Sequence, residues 1–166
     1  MPLCAMRKPD RVRTCGTSVQ EYPKGAQATT VPPSNTCVLI VDDDPGSRMA
    51  LYNTLEVRGY QCELAEHGAA AAVRIKTGHV DLVVTDHHMP VMDGLRLLEW
   101  LASAPGGRVL PAILLTSEWN EAVRMKALKA GAYSILAKPY CVEILLSVVA
   151  RAISDLDPPG GRRQAQ

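Results

Sequence analysis

The hydrophobic pattern of this chain changes character at residue 37. Before it, no apolar period runs through residues 1–34, which hold Pro2, Pro9, Pro23, Pro32 and Pro33 among scattered Ser, Thr and Gly. That composition predicts a disordered N-terminal tail. From Cys37 onward, short continuous apolar runs alternate with amphipathic stretches. Cys37–Val41 (CVLIV), Leu82–Thr85 (LVVT) and Ala112–Thr116 (AILLT) read as strands buried on both faces. Tyr60–Ala65 and Ala132–Leu136 read as the second and fifth strands. Pro45–Arg58 carries Met49, Leu51, Tyr52 and Leu55 at helical spacing. Asp44 is its expected N-cap, Pro45 its first helical residue and Gly59 its stop. Further helices are expected at Gly68–Thr77, Asp93–Ala102, Asn120–Ala130 and Cys141–Ile153. A loop is expected at 105–107, and a second disordered tail over residues 156–166.

Five repeats of strand then helix imply an α/β fold: a doubly wound, five-stranded parallel sheet, (βα)5, with helices on both faces. The chain has 166 residues and is 47% hydrophobic, enough for one domain with a proper core. Net charge is +1, which argues for neither nucleic acid nor membrane. The balance is uneven, however. Residues 1–34 hold five basic and two acidic side chains, whereas residues 35–161 hold 11 basic and 15 acidic ones. Of the five cysteines no two are spaced CxxC, so a disulfide framework or zinc site is not expected. Cys37, Cys62 and Cys141 read as small buried hydrophobes. Nothing resembles a secretory leader or a span of about 20 apolar residues, and the expected compartment is the cytoplasm. There is no GxGxxG and no P-loop.

In an open parallel sheet, ligands bind outside the carboxyl ends of the strands. The first strand ends in Asp42-Asp43-Asp44, the third in Asp86, the fourth in Thr116-Ser117, and the fifth runs into Lys138-Pro139. Clustered carboxylates repel unless a cation intervenes, so this edge reads as a hard-cation site. Mg2+ prefers oxygen ligands and suits two or three carboxylates plus a phosphate oxygen. A carboxylate is also a nucleophile for forming an aspartyl-phosphate. Lys138 supplies a point charge and Thr116 a hydroxyl donor for the transferring group.

The segments VLIVDDDPGSR, LVVTDHHMPVMDG, ILLTS and AKPY resemble the four signature regions of response-regulator receiver domains, in order. The resemblance covers about residues 36–154 and makes 35–155 the receiver domain. It implies a flavodoxin-like sheet of order 2-1-3-4-5. It implies that Asp86 accepts a phosphoryl group from a histidine kinase or histidine phosphotransfer protein. Asp42, Asp43, Asp86 and the backbone carbonyl of His88 would hold Mg2+, with Asp43 the more direct ligand than Asp42. Thr116 would be the switch hydroxyl, Lys138 the lysine that pairs with the phosphoryl group, and Lys138-Pro139 a cis bond. Such a domain is a switch rather than an enzyme, acting on an output protein. No DNA-binding domain is expected, because about a dozen residues follow Ile153.

The chain departs from the family at Ile135, where receivers usually carry Tyr or Phe. The nearby aromatic is Tyr133, which strand alternation would place on the same face as Ile135. Two other functions compete. A Mg2+-dependent phosphohydrolase would use Asp86 as nucleophile, but such enzymes place an acid where His88 stands. A pseudo-receiver would bind partners without phosphorylation. Asp44 reads as a helix cap and Asp93-Gly94 as turn chemistry. His87 and His88 are not expected to share a transition metal, because adjacent loop side chains point different ways. Trp100 and Trp119 read as packing residues.

Overall fold

Residues 37–41 are β-branched or apolar and lie between two helical faces, which favours a strand covered on both sides. A computed structural model describes residues 35–103 and 110–156, and the chain forms β1 (Cys37–Val41), α1 (Pro45–Glu56), β2 (Gln61–Ala65), α2 (Gly68–Thr77), β3 (Leu82–Asp86), α3 (Gly94–Ser103), β4 (Ala112–Thr116), α4 (Glu121–Lys129), β5 (Ser134–Ala137) and α5 (Val142–Leu156). All ten elements agree in kind with the sequence reading, and their limits move by at most three residues. The expected N-terminal tail and the loop at 105–107 lie outside the described residues, as does the expected C-terminal tail from residue 157 on; its first residue, Leu156, instead ends α5.

The five strands are parallel and ordered β2-β1-β3-β4-β5, as the resemblance implies. Strand alternation divides the core. Val38, Ile40, Leu82, Val84, Ile113, Leu115 and Leu136 pack with Leu51 and Leu55 of α1 and Leu145 and Val149 of α5. Leu39, Val41, Val83, Leu114 and Ile135 pack with Ala71 of α2, Leu97 of α3 and Ala127 of α4. Two helices therefore cover one face and three the other. Each fully buried Leu, Ile or Val contributes about 1.5–3 kcal/mol, which is what sustains polar groups buried at the sheet edge.

The helix signals work locally as expected. Asp44 caps α1, its carboxylate accepting from the Ser47 N–H at 2.6 Å. Asn120 caps α4 through the Val123 N–H at 2.9 Å. Gly59 and Gly131 follow α1 and α4 at φ 89 and 90, a region that L side chains rarely adopt. His67 caps α2 through Nδ1, at 3.1 Å from the Ala70 nitrogen.

Two readings are corrected. Tyr133 and Ile135 are on opposite faces: Ile135 joins the cluster under α2, α3 and α4, while Tyr133 packs with the α1 and α5 cluster. β5 begins at Ser134, so Tyr133 precedes the strand and alternation does not reach it. Its hydroxyl donates to Asp155 of α5 at 2.6 Å. Of the three cysteines read as buried, only Cys37 is; Cys62 is half-buried and Cys141 is exposed. Cys141 lies before α5 begins, and its thiol donates to Glu143 at 2.7 Å. Trp100 packs as expected, with the Lys76 ammonium 5.5 Å over its ring. No helix among the described residues is long and apolar enough to cross a membrane.

Candidate functional site

The register of a parallel sheet decides which strand ends meet. β1 and β3 pair Val41 with Thr85, and β3 and β4 pair Asp86 with Leu115. Asp42, Asp86 and Thr116 therefore reach the same edge, and all three are buried. Lys138 arrives from the end of β5, after its own N–H donates to the Thr116 carbonyl at 2.7 Å. The Lys138-Pro139 bond is cis, as the resemblance implies.

The Lys138 ammonium lies between two carboxylates. It donates to Asp42 Oδ2 at 3.1 Å and pairs with Asp86 Oδ1. The other Asp86 oxygen accepts from the His88 N–H at 2.8 Å. Asp42 Oδ1 accepts from the Asp44 N–H at 2.9 Å. Burial pushes the Asp42 carboxyl above its ordinary range, although Lys138 pulls the other way. Burial also pulls on the Lys138 ammonium, but its bonds to Asp86 and Asp42 outweigh this and hold it above the usual lysine value. One ammonium thus serves two carboxylates, and Asp43 stands exposed beside them. Three carboxylates against one ammonium leave two negative charges, which a divalent cation would balance. The residues fit such an ion.

A second network lies beside the first. The Thr116 hydroxyl is fully buried and has three partners. It accepts from the Glu118 N–H at 3.0 Å, meets the Glu118 carbonyl at 3.2 Å, and meets His87 Nδ1 at 2.9 Å. Burial lowers the His87 pKa, which favours a neutral imidazole. The His87 and His88 rings touch, with centroids 4.0 Å apart and planes tilted by 33°, contrary to the expectation that they diverge. The cause is the turn after β3, which folds His88 back toward Asp86 through its N–H. His88 Nε2 lies 3.4 Å from Glu118 Oε1. One donor atom from each of His87, His88 and Glu118 lies within 4.8 Å of the others. Two imidazoles on one tetrahedral ion would have centroids about 5 Å apart, given metal–nitrogen distances near 2 Å. The two rings lie closer than that, in contact with one another.

Three supporting features escaped the sequence reading. Arg48, one turn into α1, donates to the Asp42 carbonyl and fixes the β1–α1 loop. Val91 sits at φ 67, with the Met92 N–H closing on the Pro90 carbonyl at 2.7 Å. This is a tight γ-turn, strained for a β-branched residue. Gly94 lies under the acceptor: a Cβ there would meet the Asp86 carbonyl oxygen at 2.2 Å and Leu114 at 2.7 Å. A positive φ at a valine has no sequence signature. Gly94 did, since DG after an apolar run marks a turn, but its contact with Asp86 needs the fold.

Residues 38–150 match the family model described as the response regulator receiver domain. The chain belongs to this family. Its curated relatives include response regulator MprA of Mycobacterium sp. (strain KMS), 36% identical over 124 residues, which cover 75% of this chain and 53% of that protein. The chain spans about half the length of the curated relatives it matches. Among solved structures, a CheY-like receiver domain protein from Methanospirillum hungatei is similar with TM-score 0.69 and 27% identity, over 76% of this chain and all of that one (100%). The receiver domain of a signal transduction histidine kinase from Syntrophus aciditrophicus gives TM-score 0.70 and 32% identity, over 79% of this chain and 98% of that one. The chain is thus a two-component receiver with the family's fold, and with Ile135 where receivers usually place an aromatic ring.

Proposed function

We propose that this receiver is a phosphorylation switch in which Asp86 accepts a phosphoryl group from a histidine kinase or histidine phosphotransfer protein. The observation that carries this is the Lys138 ammonium shared between Asp42 and Asp86 at the sheet edge. A carboxylate oxygen of Asp86 attacks phosphorus, and the bond to the donor's leaving nitrogen breaks. Lys138 is placed to pair with the phosphoryl oxygens, and Thr116 to donate its hydroxyl to them. Asp42, Asp43, Asp86 and the His88 carbonyl would hold Mg2+, which supplies charge neutralisation for the transferring group. The product carries about −1.5 to −2 charges and three strong acceptor oxygens. That change favours a conformation in which Thr116 and Lys138 close on Asp86. The module acts on an output protein rather than as an enzyme. Residues 35–155 form it, and it works in the cytoplasm.

The test is intact-mass measurement after incubation with a small phosphodonor and Mg2+. Wild type should gain a labile phosphoryl adduct, and Asp86→Ala should gain none. An unmodified wild type would instead support a pseudo-receiver, the reading that Ile135 favours. Continuous phosphate release from unrelated monoesters would support a phosphohydrolase.

A further inference from the structure

We propose that His87 is the latch on the switch hydroxyl: its imidazole holds Thr116 in the resting position and registers its departure. The inference rests on Asp86 being the phosphoacceptor and adds a positioning residue to that site.

A hydroxyl offers one donor and two acceptor lone pairs. Thr116 has three partners, two from the Glu118 backbone and one from His87. The Glu118 N–H can only donate, and its carbonyl can only accept. All three contacts are satisfied together if His87 carries its proton on Nδ1 and donates it to Thr116. The alternative tautomer forces the single hydroxyl proton to choose between two acceptors. Thr116 is 0% exposed and His87 6%, so water has little access to replace a lost partner.

Among the described residues the Thr116 hydroxyl has no hydrogen bond to Asp86 or Lys138; the two networks are joined through the backbone, by the Lys138 N–H on the Thr116 carbonyl. Asp86 is held by Lys138 and the His88 N–H, and Thr116 by His87 and Glu118. To reach a phosphoryl oxygen, the Thr116 proton must leave the Glu118 carbonyl and its oxygen must leave His87. A buried Nδ1–H then lacks an acceptor, which disfavours the move unless the ring follows. The ring lies in tilted contact with His88, centroids 4.0 Å apart, and the His88 side chain is 55% exposed and faces Glu118. Motion of His87 is thereby transmitted to a surface beside the start of α4. Ile135 cannot provide that route, since it is sealed in the apolar cluster and carries no polar atom.

Two measurements test this. The first needs no phosphate: long-range 15N NMR of the unphosphorylated protein should show His87 in the Nδ1–H tautomer, and Thr116→Val should perturb it. A His87 protonated on Nε2, or indifferent to Thr116→Val, would overturn the latch. The second is a double-mutant cycle read by intact mass. His87→Leu should raise the phosphorylated-to-unphosphorylated ratio at fixed phosphodonor by about tenfold, the loss of one buried hydrogen bond. In the Thr116→Val background the same substitution should change nothing. His87→Asn, whose amide can donate from nearly the same place, should restore the wild-type ratio and guards against a merely misfolded His87→Leu. Equal effects of His87→Leu in both backgrounds would also overturn it. Absence of adduct in every variant defeats the phosphoacceptor reading, and the tautomer measurement alone then decides the latch.

Discussion

The end of β3 and the beginning of β5 differ in kind in this receiver. β3 ends in polar groups that are buried and fully engaged: Asp86 with Lys138 and the His88 N–H, His87 with Thr116. β5 opens among packed side chains and only then runs into Lys138. Ile135 is shut beneath α2, α3 and α4, and Tyr133 is tied to α5 on the other face. The difference sets a strand end of buried, hydrogen-bonded polar groups against a strand start held by packing. Ile135 and Tyr133 lie on opposite sides of the sheet, and the partners of the Thr116 hydroxyl are His87 and Glu118 rather than either of them.

The comparison breaks first if the edge of β3 is not electrostatically demanding. Removing Lys138 leaves Asp42, at 2% exposure, beside Asp86 with no counter-charge. Loss of one partner from such a buried pair costs about 3 kcal/mol. Lys138→Met should therefore lose that much stability in urea melts with a chelator present, and Mg2+ should restore part of it. A loss well under about 1 kcal/mol would mark the contact as an ordinary solvent-screened bridge.

The next effect is steric. Gly94→Ala places a Cβ against the Asp86 carbonyl, a backbone atom that cannot rotate away. It should cost about 2–3 kcal/mol, comparable to overpacking a core, and should lower adduct formation as well, because Asp86 must shift. A fully active, equally stable Gly94→Ala protein would show that the acceptor loop is not held as tightly as the β5 core. Ile135→Tyr asks the complementary question. The site is closed by Leu114, Ala127 and their neighbours, so an added ring should cost about 1–3 kcal/mol. If it costs nothing, the fifth strand has room for the usual aromatic and the contrast with β3 fails.

How much of this was legible without coordinates depends on how local the cause is. CVLIV, LVVT and AILLT announced strands, and Asp44-Pro45 announced α1, because period and capping act within a few residues. The four strand ends pointed to one edge because parallel topology sends them there. The His87–Thr116 bond was not legible. It requires the register that sets Asp86 beside Leu115 and so brings the next residue of each strand together. Apolar runs buried on both faces do not encode that register. Tyr133 was misread for a related reason: alternation predicts faces only inside a strand, and β5 begins at Ser134, which leaves Tyr133 just outside it. Cys141 was misread because it sits among apolar residues in sequence yet just ahead of α5, outside the helix's buried stripe.

The smallest effect tests the β5 side alone. Burial first, and then the bond to Asp155, raise the Tyr133 phenol to about 12. An unfolded tyrosine ionises near 10. Below pH 10 both states hold a neutral phenol and the contribution of Tyr133 is complete. As pH rises from 10 toward 12 the unfolded chain gives up its proton more readily, so this contribution is lost. Burial also raises Tyr60 and Tyr140, so the wild-type profile alone does not isolate it. Tyr133→Phe does: it should cost about 0.5–1 kcal/mol near neutrality, and the gap to wild type should narrow through pH 10–12. A gap that stays constant with pH would mean that Asp155 does not hold the phenol. Tyr133 would then be free to move when the acceptor edge changes, and the division of labour between β3 and β5 would have to be redrawn.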